Sequence, residues 1–151
     1  VFEREGLSTA LMSAVDMHAF ADHYTARDAI RCLEEGKVVI LGCGSGSPYF
    51  STDTAAALRA AEIQADAILM AKNIDGIYTA DPRIDKTAKK YDKLTFAEVL
   101  EKNLKVMDST AASLCRDNNM PILVFGLNDP ENIVRAVKGD KIGTLVNAEG
   151  K

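Results

Sequence analysis

Strand-like and helix-like segments alternate along the whole chain with only short loops between them, and this alternation restricts the fold more than any other feature. Residues 9–15 read as a strand, and residues 24–35 as a helix with Ala26, Ala29, Ile30 and Leu33 on one face, closed by Gly36 as a C-terminal cap. Residues 37–41 are strand-like around the β-branched run Val38-Val39-Ile40, the pattern of a strand covered on both faces. The Ala-rich residues 53–65 read as a helix and residues 67–70 as the next strand. Helices are expected at 95–103 and 108–118, a strand at 122–125, a helix at 130–137 and a last short strand at 144–146. The pattern predicts an α/β fold with a largely parallel sheet flanked by helices. With no internal repeat, low-complexity stretch or interdomain linker, one domain spanning residues 1–151 is expected.

Composition narrows the function classes. A chain of 151 residues is long enough to bury a sizeable core. A formal net charge of −4 argues against broad nucleic-acid binding, which needs a basic surface, while leaving room for a small phosphate ligand. No apolar run approaches the roughly 20 residues that span a bilayer, so no membrane segment is expected. The start, Val1-Phe2-Glu3-Arg4-Glu5-Gly6, has no signal-peptide character and no initiator Met, so the chain is expected to begin partway through a longer product. Cys32, Cys43 and Cys115 are an odd number without a C-x-x-C pair, which points to reduced thiols in a cytoplasm rather than a disulfide framework or zinc site. Cys43 is expected to pack beside its glycines and Cys115 to lie in the core. His18 and His23 lack a metal-ligand spacing and read as solvated or structural.

The segment Gly42-Cys43-Gly44-Ser45-Gly46-Ser47-Pro48 leaves a strand and enters a helix, where open α/β sheets hold their ligands. Its three alternate glycines allow close backbone approach. The helix, starting near Thr52 or Asp53, offers free N–H groups to an anion, with Thr52 a good N-cap and Asp53 favourable to the helix dipole. Glycine spacing alone leaves a ligand loop and a bland turn even, because the segment is neither a Walker A loop nor G-x-G-x-x-G. Met70-Ala71-Lys72-Asn73 also lacks the acidic residue of a dinucleotide site. Arg83, Lys86, Lys89, Lys90 and Lys93 read first as a solvated basic loop. Taken singly, Tyr78 is a half-buried aromatic and Asp81-Pro82 a turn.

Longer stretches are more specific. The run from Gly44 to Glu62, beginning Gly44-Ser45-Gly46-Ser47-Pro48-Tyr49-Phe50-Ser51-Thr52-Asp53, closely resembles the UMP kinase signature of the amino-acid kinase fold. So do Met70-Ala71-Lys72-Asn73-Ile74-Asp75-Gly76-Ile77-Tyr78-Thr79-Ala80-Asp81-Pro82 and Leu104-Lys105-Val106-Met107-Asp108-Ser109-Thr110-Ala111. These motifs separate the resemblance from carbamate, aspartate and acetylglutamate kinases.

The resemblance implies a partial amino-acid kinase (carbamate kinase-like) fold and transfer of the ATP γ-phosphoryl group to UMP with Mg²⁺. Ser45, Gly46, Ser47, Pro48, Tyr49, Phe50, Ser51 and Thr52 fall where the family binds UMP. Asp53 falls where related kinases place an acidic residue that orients catalytic lysines. Lys72, Asn73, Tyr78 and Asp81 fall where the family binds ATP. The family's usual Thr-Gly-Asn-Pro is here Ser45-Gly46-Ser47-Pro48, which keeps a hydroxyl and loses an amide. The chain resembles rather more than the second half of full-length UMP kinases. Their Lys-Leu-Ser-Gly-type and Gly-Gly-Gly-Asn-type loops, which hold the ATP phosphates, have no counterpart in residues 1–151. The chain alone is therefore expected to have impaired turnover, losing on the order of 10³–10⁵ in rate with such a clamp, and to self-associate through an exposed sheet edge. The family forms homohexamers that respond to GTP and UTP. A non-catalytic nucleotide-binding or structural fragment is the alternative, and another amino-acid kinase a more distant one.

Overall fold

The structure, a computed structural model, describes residues 1–104 and 107–148. Lys105 and Val106, from the third stretch quoted above, lie outside the described residues, as do residues 149–151. The chain folds as two compact units, Val1–Gln64 and Ala65–Lys151.

The first unit opens with a 3-10 turn, Phe2–Glu5, and continues through β1 (Thr9–Ser13), β2 (Asp22–His23), α1 (Ala26–Glu34), β3 (Val38–Gly42) and α2 (Thr52–Glu62). Its sheet is entirely parallel with strand order β2-β1-β3, and Leu11 sits opposite Ile40 in the β1–β3 register. Thr25 caps α1 by accepting from the Asp28 N–H, and the chain leaves that helix through Gly36 at φ +76, as the cap pattern predicts. Met12, Tyr24, Ala29 and Cys32 form the core, with Ala10, Val39 and Leu41 packed against it. Side chains alternate across a strand, so the other face carries Leu11, Val38 and Ile40, which are 45%, 41% and 38% exposed. The expectation that residues 37–41 are covered on both faces is therefore not met. β3 ends the strand order of its sheet, and its core contacts come from Val39 and Leu41.

The second unit contains β4 (Ile68–Lys72), β5 (Lys93–Thr95), α3 (Phe96–Glu101), α4 (Ser109–Asp117), β6 (Ile122–Gly126), α5 (Glu131–Lys138) and β7 (Thr144–Asn147). The strand order is β4-β6-β7-β5; β4–β6 and β5–β7 are parallel and β6–β7 antiparallel. Ile122, Val124, Leu94, Phe96, Cys115 and Val146 are buried almost completely. Cys115 thus lies in the core as expected, and burial pushes its thiol up to about 11. Thr95 and Glu98 form a capping box at the start of α3, and Asp108 caps α4 through the Ala111 N–H.

Candidate functional site

In the first unit the glycine-rich loop runs from the carboxyl end of β3 to the start of α2. Cys43, Gly44, Gly46 and Tyr49 all have positive φ, between +62 and +76. At Gly46 this conformation is obligatory twice over. A Cβ there would lie 2.7 Å from the Ala14 carbonyl oxygen, and φ +76 is disfavoured for any residue with a side chain. Within the loop the Gly46 N–H donates to the Cys43 carbonyl (3.1 Å), and the Ser45 hydroxyl both donates to the Ser47 carbonyl and accepts from the Ser47 N–H (3.2 Å each). Cys43 is exposed rather than packed: it sits in left-handed backbone where the chain turns out of the sheet. Tyr49 is fully exposed and Phe50 56% exposed, so two aromatic faces stand in solvent beside the helix start.

The cap of α2 is Ser51, not Thr52. Ser51 has extended backbone, and its hydroxyl accepts from the Thr54 N–H at 3.1 Å. Thr52 is the first helical residue and Asp53 lies in the first turn, where a carboxylate favours the dipole. Farther along the helix, Arg59 reaches back to the loop. Its guanidinium is 3.4 Å from the Gly44 carbonyl oxygen, 2.7 Å from Glu62 Oε2 and 3.9 Å above the Tyr24 ring. The Tyr24 hydroxyl donates to the same Glu62 oxygen at 2.7 Å. Burial, then the Glu62 carboxylate, push the Tyr24 phenol up to about 12, with Arg59 opposing. This cluster was not foreseen from sequence. Its one local sign is the Arg59–Glu62 spacing of three on a helix.

In the second unit the four residues expected on the ATP side, Lys72, Asn73, Tyr78 and Asp81, all line one cleft of about 840 Å³. Lys102, Asn103, Leu104 and Asn128 reach the same cleft from other parts of the unit and were not anticipated. The cleft's wall is built by pairing residues 77–79 with 89–91. The Tyr91 N–H donates to the Ile77 carbonyl (2.8 Å), the Thr79 N–H to the Lys89 carbonyl (2.9 Å), and the Lys89 N–H to the Thr79 hydroxyl (3.0 Å). Thr144, wholly buried on β7, anchors both sides of this pairing. Its hydroxyl accepts from the Ile77 N–H at 2.9 Å and donates to the Tyr91 carbonyl.

Polar groups along the cleft are tied to one another. Tyr78 donates its hydroxyl to Asp75 (2.7 Å), and Lys90 Nζ lies 3.2 Å from the other Asp75 oxygen. Partial burial works to raise the Asp75 pKa, but hydrogen bonds from Tyr78 and Lys90 outweigh it and hold the carboxyl below its usual range. The same bond raises the Tyr78 phenol. Asp81 accepts from the Arg83 N–H (2.9 Å) and takes a two-pronged guanidinium contact at 3.1 and 2.9 Å. The basic segment is therefore partly neutralised in place, at Arg83 and Lys90. His18 and His23 are exposed beside Asp16, as expected for solvated residues.

The family profile of the Amino acid kinase family matches residues 2–126. The chain belongs to the amino acid kinase family. Solved structures agree with that assignment and with the expected fold class. A UMP kinase from Bacillus anthracis superposes with a TM-score of 0.92 at 38% identity, covering 95% of this chain and 59% of the other. A UMP kinase from Ureaplasma parvum gives 0.90 at 39% identity, covering 96% and 62%. A uridylate kinase from Archaeoglobus fulgidus gives 0.68 at 36% identity, covering 81% and 57%. This amino acid kinase chain thus spans about six tenths of the length of the solved kinases it matches.

Within this amino acid kinase chain the two groups of expected site residues fall in different units: residues 45–53 in the first, and Lys72, Asn73, Tyr78 and Asp81 in the second. No helix among the described residues is long and apolar enough to cross a membrane. Among the described residues no three His, Cys, Asp or Glu side chains are grouped to hold a metal ion.

Proposed function

We propose that this chain is the C-terminal nucleotide-binding portion, acting as one domain, of a kinase that transfers the γ-phosphoryl group of ATP to UMP, giving ADP and UDP for pyrimidine nucleotide synthesis. The observation that carries the substrate class is the 36–39% identity to solved UMP and uridylate kinases over most of the chain. UMP is bound by Ser45, Gly46, Ser47, Pro48, Tyr49, Phe50, Ser51 and Thr52. In support, the loop leaves the carboxyl end of β3 and delivers the N-terminus of an eleven-residue helix, the positive end of the helix dipole, which favours a phosphate. Asp53 acts as an organising carboxylate, because a bare carboxylate beside phosphates would repel them unless a cation lies between. ATP is bound by Lys72, Asn73, Tyr78 and Asp81, a reading supported by their convergence on one cleft.

Phosphoryl transfer rests on positioning and charge neutralisation. Mg²⁺ would supply part of that neutralisation. Asp75 and Asp81 already hold cationic or hydroxyl partners, so the metal would come in with ATP and be held chiefly by its phosphates. Residues 1–151 hold no stretch resembling the family's phosphate-clamp loops, so the chain by itself turns over UMP well below the roughly 1–100 s⁻¹ of ordinary kinases. It self-associates, in the manner of a homohexameric family, with the exposed Leu11, Val38 and Ile40 face as the supporting observation. A cytoplasmic setting fits its three free cysteines, and a net charge of −4 fits a nucleotide partner better than a nucleic acid.

Thermal melts against UMP and ATP test the reading. Saturable stabilisation by each nucleotide is expected, with the UMP response weakened in Asp53→Asn and Thr52→Ala. No response to either nucleotide would leave only a structural fragment, and stabilisation by an amino-acid substrate instead would point to another amino-acid kinase.

A further inference from the structure

We infer that Arg59 is a positioning residue that holds the 43–51 loop in its bent conformation, and so sets the affinity of the UMP site proposed above, on which the ligand half of this inference rests. The loop's backbone leaves regular structure at Cys43 and Gly44 and bends again at Gly46 and Tyr49. Between residues 43 and 47 its hydrogen bonds are short-range. Arg59 ties it to a rigid element from outside, through the guanidinium contact to the Gly44 carbonyl oxygen at 3.4 Å.

That contact is long for a hydrogen bond. What makes it count is how firmly the guanidinium itself is held. The Arg59 side chain is only 12% exposed. One nitrogen is fixed to Glu62, the flat cation lies 3.9 Å from the Tyr24 ring centroid, and Tyr24 in turn secures Glu62. Tyr24 belongs to the β1–α1 core, so the loop is referenced through Arg59 to the packed centre of its unit. The planar fork of arginine is needed for this. It faces Glu62, the ring and the Gly44 carbonyl at once, whereas a lysine ammonium is a single point charge without a face to stack. The arrangement also puts a positive charge beside the loop proposed to receive a phosphate, without committing it as a ligand.

Two readouts test this. A nitroxide spin label on Cys43, the exposed thiol among three cysteines of which Cys32 and Cys115 are buried, reports loop mobility without any nucleotide. UMP titration by calorimetry reports the site. Arg59→Met and Arg59→Lys are both expected to convert the label to a faster-moving spectrum and to weaken UMP binding about five- to tenfold, the loss of roughly one ordinary hydrogen bond, as suits a contact of this length. Arg31→Met, which removes an exposed ion pair to Asp28, should leave both unchanged. If Arg59→Lys matches the parent chain in both readouts, charge alone suffices and the positioning role is refuted. It is equally refuted if the variants melt earlier while the folded-state spectrum stays the same. Should the parent chain bind no UMP, the proposed function fails, and the spin-label arm still decides the role of Arg59. Arg59→Lys serves where Arg59→Met does not fold.

Discussion

Thr144→Val removes one oxygen from the interior and should loosen the cleft wall. Valine has nearly the shape of threonine, so no cavity forms at this fully buried position. Two partners are stranded instead. The Ile77 N–H is buried, with its residue 3% exposed, and loses its acceptor at a cost of about 1–3 kcal/mol. The Tyr91 carbonyl loses its donor in a part-buried setting, where water partly replaces it at roughly 0.5–1 kcal/mol. The added methyl returns about 0.8 kcal/mol of apolar burial. The net destabilisation is about 1–3 kcal/mol, a sizeable share of the roughly 5–15 kcal/mol that holds an ordinary domain. Urea unfolding followed by far-UV circular dichroism should show a midpoint lower by about 1 M. ATP should also bind more weakly, because the 77–79 and 89–91 segments are no longer pinned to β7. Thr144→Ser keeps the hydroxyl and should cost only about 1 kcal/mol, for one lost methyl. A Thr144→Val chain within about 0.5 kcal/mol of its parent would refute the reasoning, because the two stranded groups would then have found other partners.

Other consequences are as direct. Gly46→Ala forces a Cβ against the Ala14 carbonyl oxygen and should lower UMP affinity at least about tenfold by calorimetry, about 1.4 kcal/mol; unchanged affinity would show that the loop's bend is irrelevant to the site. Ser51→Ala should cost about 1 kcal/mol in urea melts through the lost cap, whereas Thr52→Ala should cost under about 0.5 kcal/mol; the reverse order would return the cap to Thr52. In an absorbance titration at 295 nm, one tyrosine should ionise at about 12 and vanish from the curve in Tyr24→Phe. Because folding raises that phenol above its unfolded value near 10, its stabilising contribution is complete below that pH. It is lost as pH climbs through about 10 toward about 12. A Tyr24→Phe chain that loses stability across that window as steeply as its parent would contradict the raised Tyr24 phenol, which owes more to burial than to Glu62.

The alternation of strands and helices was legible because each period is written in consecutive residues. β2 and β5, of two and three residues, are too short to show a period and were invisible. The Val-Val-Ile run of β3 looks the same whether one face or two are covered, since periodicity reports backbone form and not what lies against it. Ser51 and Thr52 are adjacent hydroxyl residues, and only backbone geometry chooses the cap. Lys72, Asn73, Tyr78 and Asp81 were named together through the resemblance carried by their contiguous stretch, residues 70–82. Lys102 and Asn128 join their cleft only through folding. The Thr144–Ile77 and Arg59–Gly44 contacts span 67 and 15 residues and leave no local pattern to read.

We propose two nucleotide sites on this chain, one on each unit. Two-dimensional NMR of the ¹⁵N-labelled chain, titrated first with UMP and then with ATP and Mg²⁺, tests it most directly. UMP should shift amides of residues 45–54 without disturbing those of residues 72–81, and ATP should do the opposite. Both nucleotides moving one common set of amides, or neither moving any, would rule out a separate site on each unit.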